Sequence, residues 1–185
     1  MLDATLLPLR NERAVLRPLD GDDATAFARG TEDPLVRRYA HLPAPSYTPT
    51  STAAMIRGEA REGLQRGDLA VLAIAEPSAG QFAGSLVIFD VTVDTGEIGF
   101  WIHPNHRGAG LAAAALDLGG QFAHRCGLRE LTARTAVENI ASQHILSTAG
   151  FVETARAPGA APSGEVIDLV HYVRRQETQP CWHNL

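Results

Sequence analysis

The residues most able to do chemistry lie in one stretch, Gly99-Phe100-Trp101-Ile102-His103-Pro104-Asn105-His106-Arg107-Gly108-Ala109-Gly110-Leu111-Ala112. A β pattern stops at His103-Pro104-Asn105, a glycine-bearing turn follows, and an apolar helical pattern begins. Free backbone N–H groups at that helix start, beside the positive end of the helix dipole, make an anion site. Glycines at 108 and 110 let the main chain approach a ligand closely, and Arg107 adds a planar fork suited to phosphate. Spacing excludes two better-known phosphate loops: there is no G-x-x-x-x-G-K-[ST], and Ala113 stands where G-x-G-x-x-G needs its third glycine. A purely structural Gly-Ala-Gly turn is the competing reading.

The flanking elements follow from periodicity and punctuation. Leu111, Ala115, Leu118 and Phe122 fall on one face of a helix from Gly110 to Cys126, closed by Gly127. Upstream, Ala14-Val15-Leu16 begins a strand that stops at Pro18. Asp20-Gly21-Asp22-Asp23 caps a helix through Phe27, and residues 39–50 read as a loop before a helix from Ser51-Thr52 to about Gln65. Strands at Leu69–Ala75 and Phe82–Val93 pair as a hairpin, followed by a strand at Glu97–Ile102. Beyond the helix come a strand at Arg129–Ala136, a helix at Ser142–Ala149, and strands at about Val152–Ala157 and Glu165–Val173 around a Pro/Gly/Ala loop. Consecutive strands pair antiparallel, whereas the strand–helix–strand unit around residues 110–126 requires a parallel pair. The expected fold is α/β, a mixed and mostly antiparallel sheet with helices on both faces.

Composition narrows the class. At 185 residues, the chain suits one domain over 1–175 with a polar tail at 176–185, which reads as a mobile extension or an oligomer contact that would make a homodimer. No apolar run reaches the roughly 18 residues of a membrane span. Met1-Leu2-Asp3-Ala4 does not resemble a signal peptide, so a cytoplasmic location is expected. A net charge of −5 argues against nucleic acid and suits a cationic acceptor. Cys126 and Cys181 read as idle thiols. His103 and His106 straddle Pro104 without a third ligand, so no metal is expected.

In this context, Arg107-x-x-Gly110-x-Ala112 resembles the Arg/Gln-x-x-Gly-x-Gly/Ala signature of the Gcn5-related N-acetyltransferases (GNAT), preceded by the expected Gly-Phe-Trp-Ile-x-Pro strand end. Asn139-x-x-Ser142 with Ala149-Gly150-Phe151 resembles that family's second motif. Leu16-Arg17-Pro18-Leu19 and Asp33-Pro34-Leu35-Val36 resemble its ribosomal-protein branch, the RimJ/RimL type. The ordered resemblance covers residues 13–174. It implies the GNAT fold and acetyl-coenzyme A as co-substrate, with no metal. The acceptor would be a primary amine, on a peptide N-terminus or a small molecule. Backbone N–H groups of Arg107, Gly108, Ala109, Gly110, Leu111 and Ala112 would hold the pyrophosphate. The strand edge at Phe100, Trp101 and Ile102 would pair with the pantetheine amides, and Asn139 and Ser142 would sit near the sulfur.

Such a transfer requires that an ammonium lose its proton, that an oxyanion meet a donor, and that a thiolate gain a proton. Glu97 is the first candidate base, directly or through water, because strand alternation sets it on one face with Gly99 and Trp101. Many relatives place an acidic Tyr where this chain has Leu146; Ser142 is the nearest substitute, unless it merely caps its helix. Tyr39, His41 and Tyr47 belong to the loop that in relatives covers the acceptor. Succinyl or another acyl group as donor, or a coenzyme-binding module without catalysis, are the alternatives.

Overall fold

The computed structural model describes residues 1–160 and 166–175. The described strands are β1 (Leu9–Arg10), β2 (Val15–Pro18), β3 (Ala70–Ala75), β4 (Phe82–Phe89), β5 (Thr95–Ile102), β6 (Glu130–Ala136), β7 (Val152–Ala160) and β8 (Val166–Arg175). The helices are α1 (Ala24–Gly30), α2 (Pro34–Tyr39), α3 (Pro49–Met55), α4 (Arg61–Arg66), α5 (Leu111–Arg125) and α6 (Ile140–Thr148), with a π-helical turn at Ile56–Ala60 joining α3 to α4. One sheet runs β1-β2-β3-β4-β5-β6-β8-β7, and every neighbouring pair is antiparallel except β5 with β6. This is the mixed sheet the strand order demands.

Both faces are covered. On one, Leu111, Ala115, Leu118 and Phe122 of α5 are buried against Leu86, Ile88 and Ile98. Gly119 permits that approach, because a Cβ there would lie 3.0 Å from both Leu86 Cδ1 and Ile98 Cδ1. On the other face, Phe27 of α1 meets Trp101 edge-on at 5.1 Å and Phe82 at 5.9 Å, and Val36 of α2 joins the same cluster. Each such ring pair contributes about 0.5–1.5 kcal/mol beyond its buried area. The turn before α1 is pinned by Arg17, whose two guanidinium nitrogens each reach buried Asp23 at 2.7 Å.

The β5–β6 pairing shapes the site. It lasts for three residues, Thr95↔Glu130, Gly96↔Leu131 and Glu97↔Thr132. Beyond it, β5 stays with β4 as far as Gly84↔Ile102, while β6 stays with β8 as far as Ala136↔Leu169. The two halves of the sheet therefore splay apart from Ile98 onward.

Several boundaries differ from expectation. β4 ends at Phe89 rather than Val93, because Asp90 takes a left-handed φ of 49° and turns the chain. Thr92 Oγ1 then accepts the Thr95 N–H, so β5 begins at Thr95. α3 starts at Pro49, capped reciprocally by Thr48 and Ser51, rather than at Ser51-Thr52. α2 was not anticipated, yet Asp33-Pro34 carries both signals of a start: Asp33 accepts the Leu35 and Val36 N–H groups, and Pro34 stands in the first turn. α6 begins at Ile140, with Asn139 as its cap, so Ser142 is not the capping residue. The tail at 176–185 with Cys181, the start of the last strand at Glu165, and most of the loop before it lie outside the described residues. No helix among the described residues is long and apolar enough to cross a membrane.

Candidate functional site

The glycine turn closes β5 and opens α5. His103 N–H donates to Ala83 O, a short 3₁₀ turn spans Pro104–His106, and Gly108 and Gly110 then take φ of 81° and 74°. Gly110 is the N-cap of α5 and offers no side chain to the first-turn donors. The first intrahelical bond runs from Ala114 N–H to Gly110 O, leaving the N–H groups of Leu111, Ala112 and Ala113 without helical partners. They border a cavity of about 810 Å³ between α2, the glycine loop and α6. Phe100, Trp101, Ile102, Arg107, Gly108, Gly110, Leu111, Ala112, Asn139 and Ser142 all line it; Ala109 does not. Leu35 and Ile140, both exposed apolar residues, also line it. A Cβ on Gly110 would meet the Arg13 guanidinium at 2.9 Å, so the side chain would point to Arg13 and the glycine is required by its φ.

The Arg107 fork is directed elsewhere than expected. Nη2 donates to Asp33 Oδ1 at 2.7 Å and Nη1 to Oδ2 at 3.4 Å. Because Asp33 also caps α2, one carboxylate ties the glycine loop to the helix on the far side of the cavity. The Arg107 hydrogen bond holds the Asp33 carboxyl below its usual pKa, against a smaller opposing effect of burial. Arg107 thus shapes the cavity wall through its side chain and lines the cavity with the loop.

A second cavity, about 250 Å³, opens in the splay and shares Tyr39, Phe100 and Ser142 with the first. Glu97 lines this one, with its side chain 18% exposed and Oε1 accepting from Arg134 Nε at 2.8 Å. Arg134 lies two residues beyond the last β5–β6 pair, so the ion pair spans the mouth of the splay. Glu97 stands five residues before Ile102, about 16 Å along an extended strand. A ligand anchored by phosphate at the glycine loop would therefore have to run along β5 to reach it.

Ser142 is half-buried between the two cavities. Its N–H donates to Asn139 Oδ1 at 3.2 Å, and its hydroxyl makes no hydrogen bond among the described residues. Gln143 fixes this turn to the end of β6 through Val137 O at 2.8 Å. Leu146 is buried in the core, so its position offers no acid.

The remaining candidates have separate places. His106 Nδ1 lies 2.9 Å from Glu76 Oε1, and His103 Nδ1 accepts from Asn105 N–H. No group of three or more His, Cys, Asp or Glu among the described residues could hold a metal ion. Tyr47 anchors its loop, packing on Phe27 at 5.4 Å and accepting the Ala44 N–H. Tyr39 lines both cavities, and His41 lines the Glu97 cavity. Sequence reasoning missed Asp33 and Arg134 as partners of site residues; the Asp-Pro helix start was the available signal for the first.

The chain matches a family model described as an acetyltransferase (GNAT) domain over residues 13–152. It is similar to the L-amino acid N-acyltransferase MnaT of Escherichia coli (strain K12), with 36% identity over 82 residues, 44% of this chain and 48% of that protein. The match thus spans about half the length of that relative. Among solved structures it is similar to Mycobacterium smegmatis RimJ in complex with CoA-disulfide, with a TM-score of 0.78 and 24% identity over 90% of this chain and 84% of that one. It is likewise similar to a ribosomal-protein-S5-alanine acetyltransferase from Vibrio fischeri, with a TM-score of 0.78 and 16% identity over 91% and 96% of the two chains. At these identities the structural likeness is one of fold.

Proposed function

The chain belongs to the GNAT acetyltransferase family, and from that premise we propose that it transfers the acetyl group of acetyl-CoA to a primary α-amine by direct attack in a ternary complex. The observation that carries this reading is the junction of two cavities at Phe100 and Ser142, one bordered by the free N–H groups of α5, the other by Glu97. The first suits a diphosphate and its extended arm: left-handed glycines expose the amides, and β5, released from β6, presents an unpaired edge at Phe100–Ile102. The second holds one carboxylate, Glu97, that can meet an ammonium beside its Arg134 partner. The names of the relatives, an L-amino acid N-acyltransferase and a ribosomal-protein-alanine acetyltransferase, support an α-amine on an amino acid or peptide.

The roles follow from position. Backbone donors of Gly108, Gly110, Leu111 and Ala112 hold the pyrophosphate, β5 aligns the pantetheine arm, and Asn139 orients the turn that carries Ser142. Glu97 draws the ammonium into the splay and takes part in removing its proton, directly or through water. Ser142 is the donor for the departing thiolate. No covalent enzyme intermediate is required, and alignment of amine and thioester supplies much of the rate. Mass spectrometry of products from acetyl-CoA and a mixed library of amines and peptides tests the proposal. Coenzyme binding without any acylated product would make the chain a coenzyme-binding module instead.

A further inference from the structure

The loop after α2 places an imidazole over the strand that carries Glu97. His41 stacks on Phe89, with ring centroids 4.3 Å apart and planes 16° from parallel. Phe89 is the cross-strand partner of Glu97. Gly99, two residues along β5 on the Glu97 face, leaves the space beneath: a Cβ there would lie 3.8 Å from His41 Cβ. The ring is exposed on its open side and lines the Glu97 cavity. Ala40, the C-cap of α2, is buried beside it and fixes where the loop begins.

We propose that His41 is a catalytic residue, which takes the proton released by the acceptor's ammonium, directly or through one water, while the Glu97 carboxylate holds the ammonium and then the imidazolium. This deepens the amine acylation proposed above and rests on it. The proton count closes. One N–H bond of the ammonium breaks and one forms on the imidazole, and the freed lone pair attacks the thioester carbonyl carbon. As the tetrahedral adduct collapses, the C–S bond breaks; the amine's second proton reaches the thiolate through Ser142, and the imidazolium later releases its proton to solvent.

The surroundings favour an imidazole in this role over the carboxylate alone. Glu97 already accepts from Arg134 at 2.8 Å, so one of its oxygens is occupied. An ordinary carboxylate titrates about four pH units below an α-amine, whereas an imidazole titrates about one and a half below it. The groups facing the ring are Glu97 on β5, Arg134 on β6 and Asp90 after β4, with Arg38 of α2 lining the same cavity and Glu59 lining a third cavity, about 60 Å³, that His41 also borders. Arg38 is itself paired with Glu138 at 2.6 Å. Loss of water around the stacked ring lowers the His41 pKa, Glu97 and Asp90 oppose that, and Arg134 reinforces it. The neutral imidazole is therefore the resting form at pH 7, as a base requires.

The test compares His41→Ala, His41→Gln and Glu97→Gln by thiol release at saturating coenzyme, with calorimetric titration of coenzyme A on each. Both His41 variants should bind coenzyme normally and lose at least tenfold in kcat/KM at pH 7. Added imidazole should restore turnover in His41→Ala and not in Glu97→Gln. The wild-type profile should level off above the His41 titration, measured by NMR on the same protein, whereas His41→Gln should keep rising to the acceptor's own pKa. Full turnover in either His41 variant overturns the assignment; so does a loss with no imidazole rescue and an unmoved profile. A wild-type protein that binds coenzyme but releases thiol with no amine overturns the underlying reading instead.

Discussion

Replacing Gly110 with valine tests the glycine loop as the proposed coenzyme site where its geometry is most demanding. Gly110 holds φ 74° and ψ 9° as the N-cap of α5. An L-residue in that region costs about 1–2 kcal/mol, with β-branched side chains at the upper end. The new Cβ would also press on Arg13 Nη1, the free end of a flexible side chain, which can move at little cost. If the unliganded loop relaxes, the coenzyme must drive it back, so the strain appears in Kd as a loss of about 5- to 30-fold. Gly110→Asn should bind better than Gly110→Val, because asparagine tolerates the left-handed region. Gly108→Ala provides a control at φ 81° with open space around it, where backbone strain acts alone. Calorimetric titration with coenzyme A, beside thermal melts, gives both affinity and stability. Unchanged affinity in Gly110→Val, or equal losses with valine and asparagine, would refute the conformational argument.

Asp33→Ala should lower stability by about 1–2 kcal/mol, combining a lost helix cap with a partly exposed ion pair. Because the Asp33 pKa is depressed from 3.8, this stabilisation is present above that value and disappears as pH falls through the lower folded pKa; melts of wild type and variant should converge in acid. Glu97→Gln should lower turnover at least roughly tenfold with coenzyme affinity retained, and Ser142→Ala should cost less; normal turnover in Glu97→Gln would remove that carboxylate from the proton path. An imidazole titrates about one and a half pH units below an α-amine but about four below a lysine-like amine, so it takes a proton more readily from the former. Of two acceptors sharing a scaffold, the α-amine should thus show the higher kcat/KM, rising with pH to a plateau. A preference for the ε-amine at pH 7 would defeat this ranking.

What could be read from the sequence was what depends on neighbours along the chain. The apolar face of α5, the glycines that bracket its start and the strand leading into it follow from local spacing, and the fold order follows from them. Asp90 was unreadable as a strand end, because a lone left-handed aspartate in a β-rich run leaves no pattern. The Arg107 fork suits phosphate as far as its neighbours in sequence can tell, because its partner, Asp33, is 74 residues away. Glu97 was recognised as a strand carboxylate, but Arg134 beside it depends on the parallel register of β5 and β6, which no local pattern encodes. His41 sat in a loop without periodicity; its stack on Phe89 comes from tertiary packing alone.

The three-residue join between β5 and β6 has a mechanical consequence. It makes the sheet a seam: the half from β1 to β5 and the half from β6 to β7 share few ladder bonds, and α5, which packs on the first half, meets the second mainly through α6. An extended arm paired along β5 would act as a temporary strand and lace that seam from within. Amide exchange at 98–102 and 133–136 should slow on coenzyme binding well beyond the residues it touches, and melting temperature should climb with coenzyme concentration as mass action requires. On this view a bound coenzyme would also be a structural member, stiffening the sheet across its weakest join.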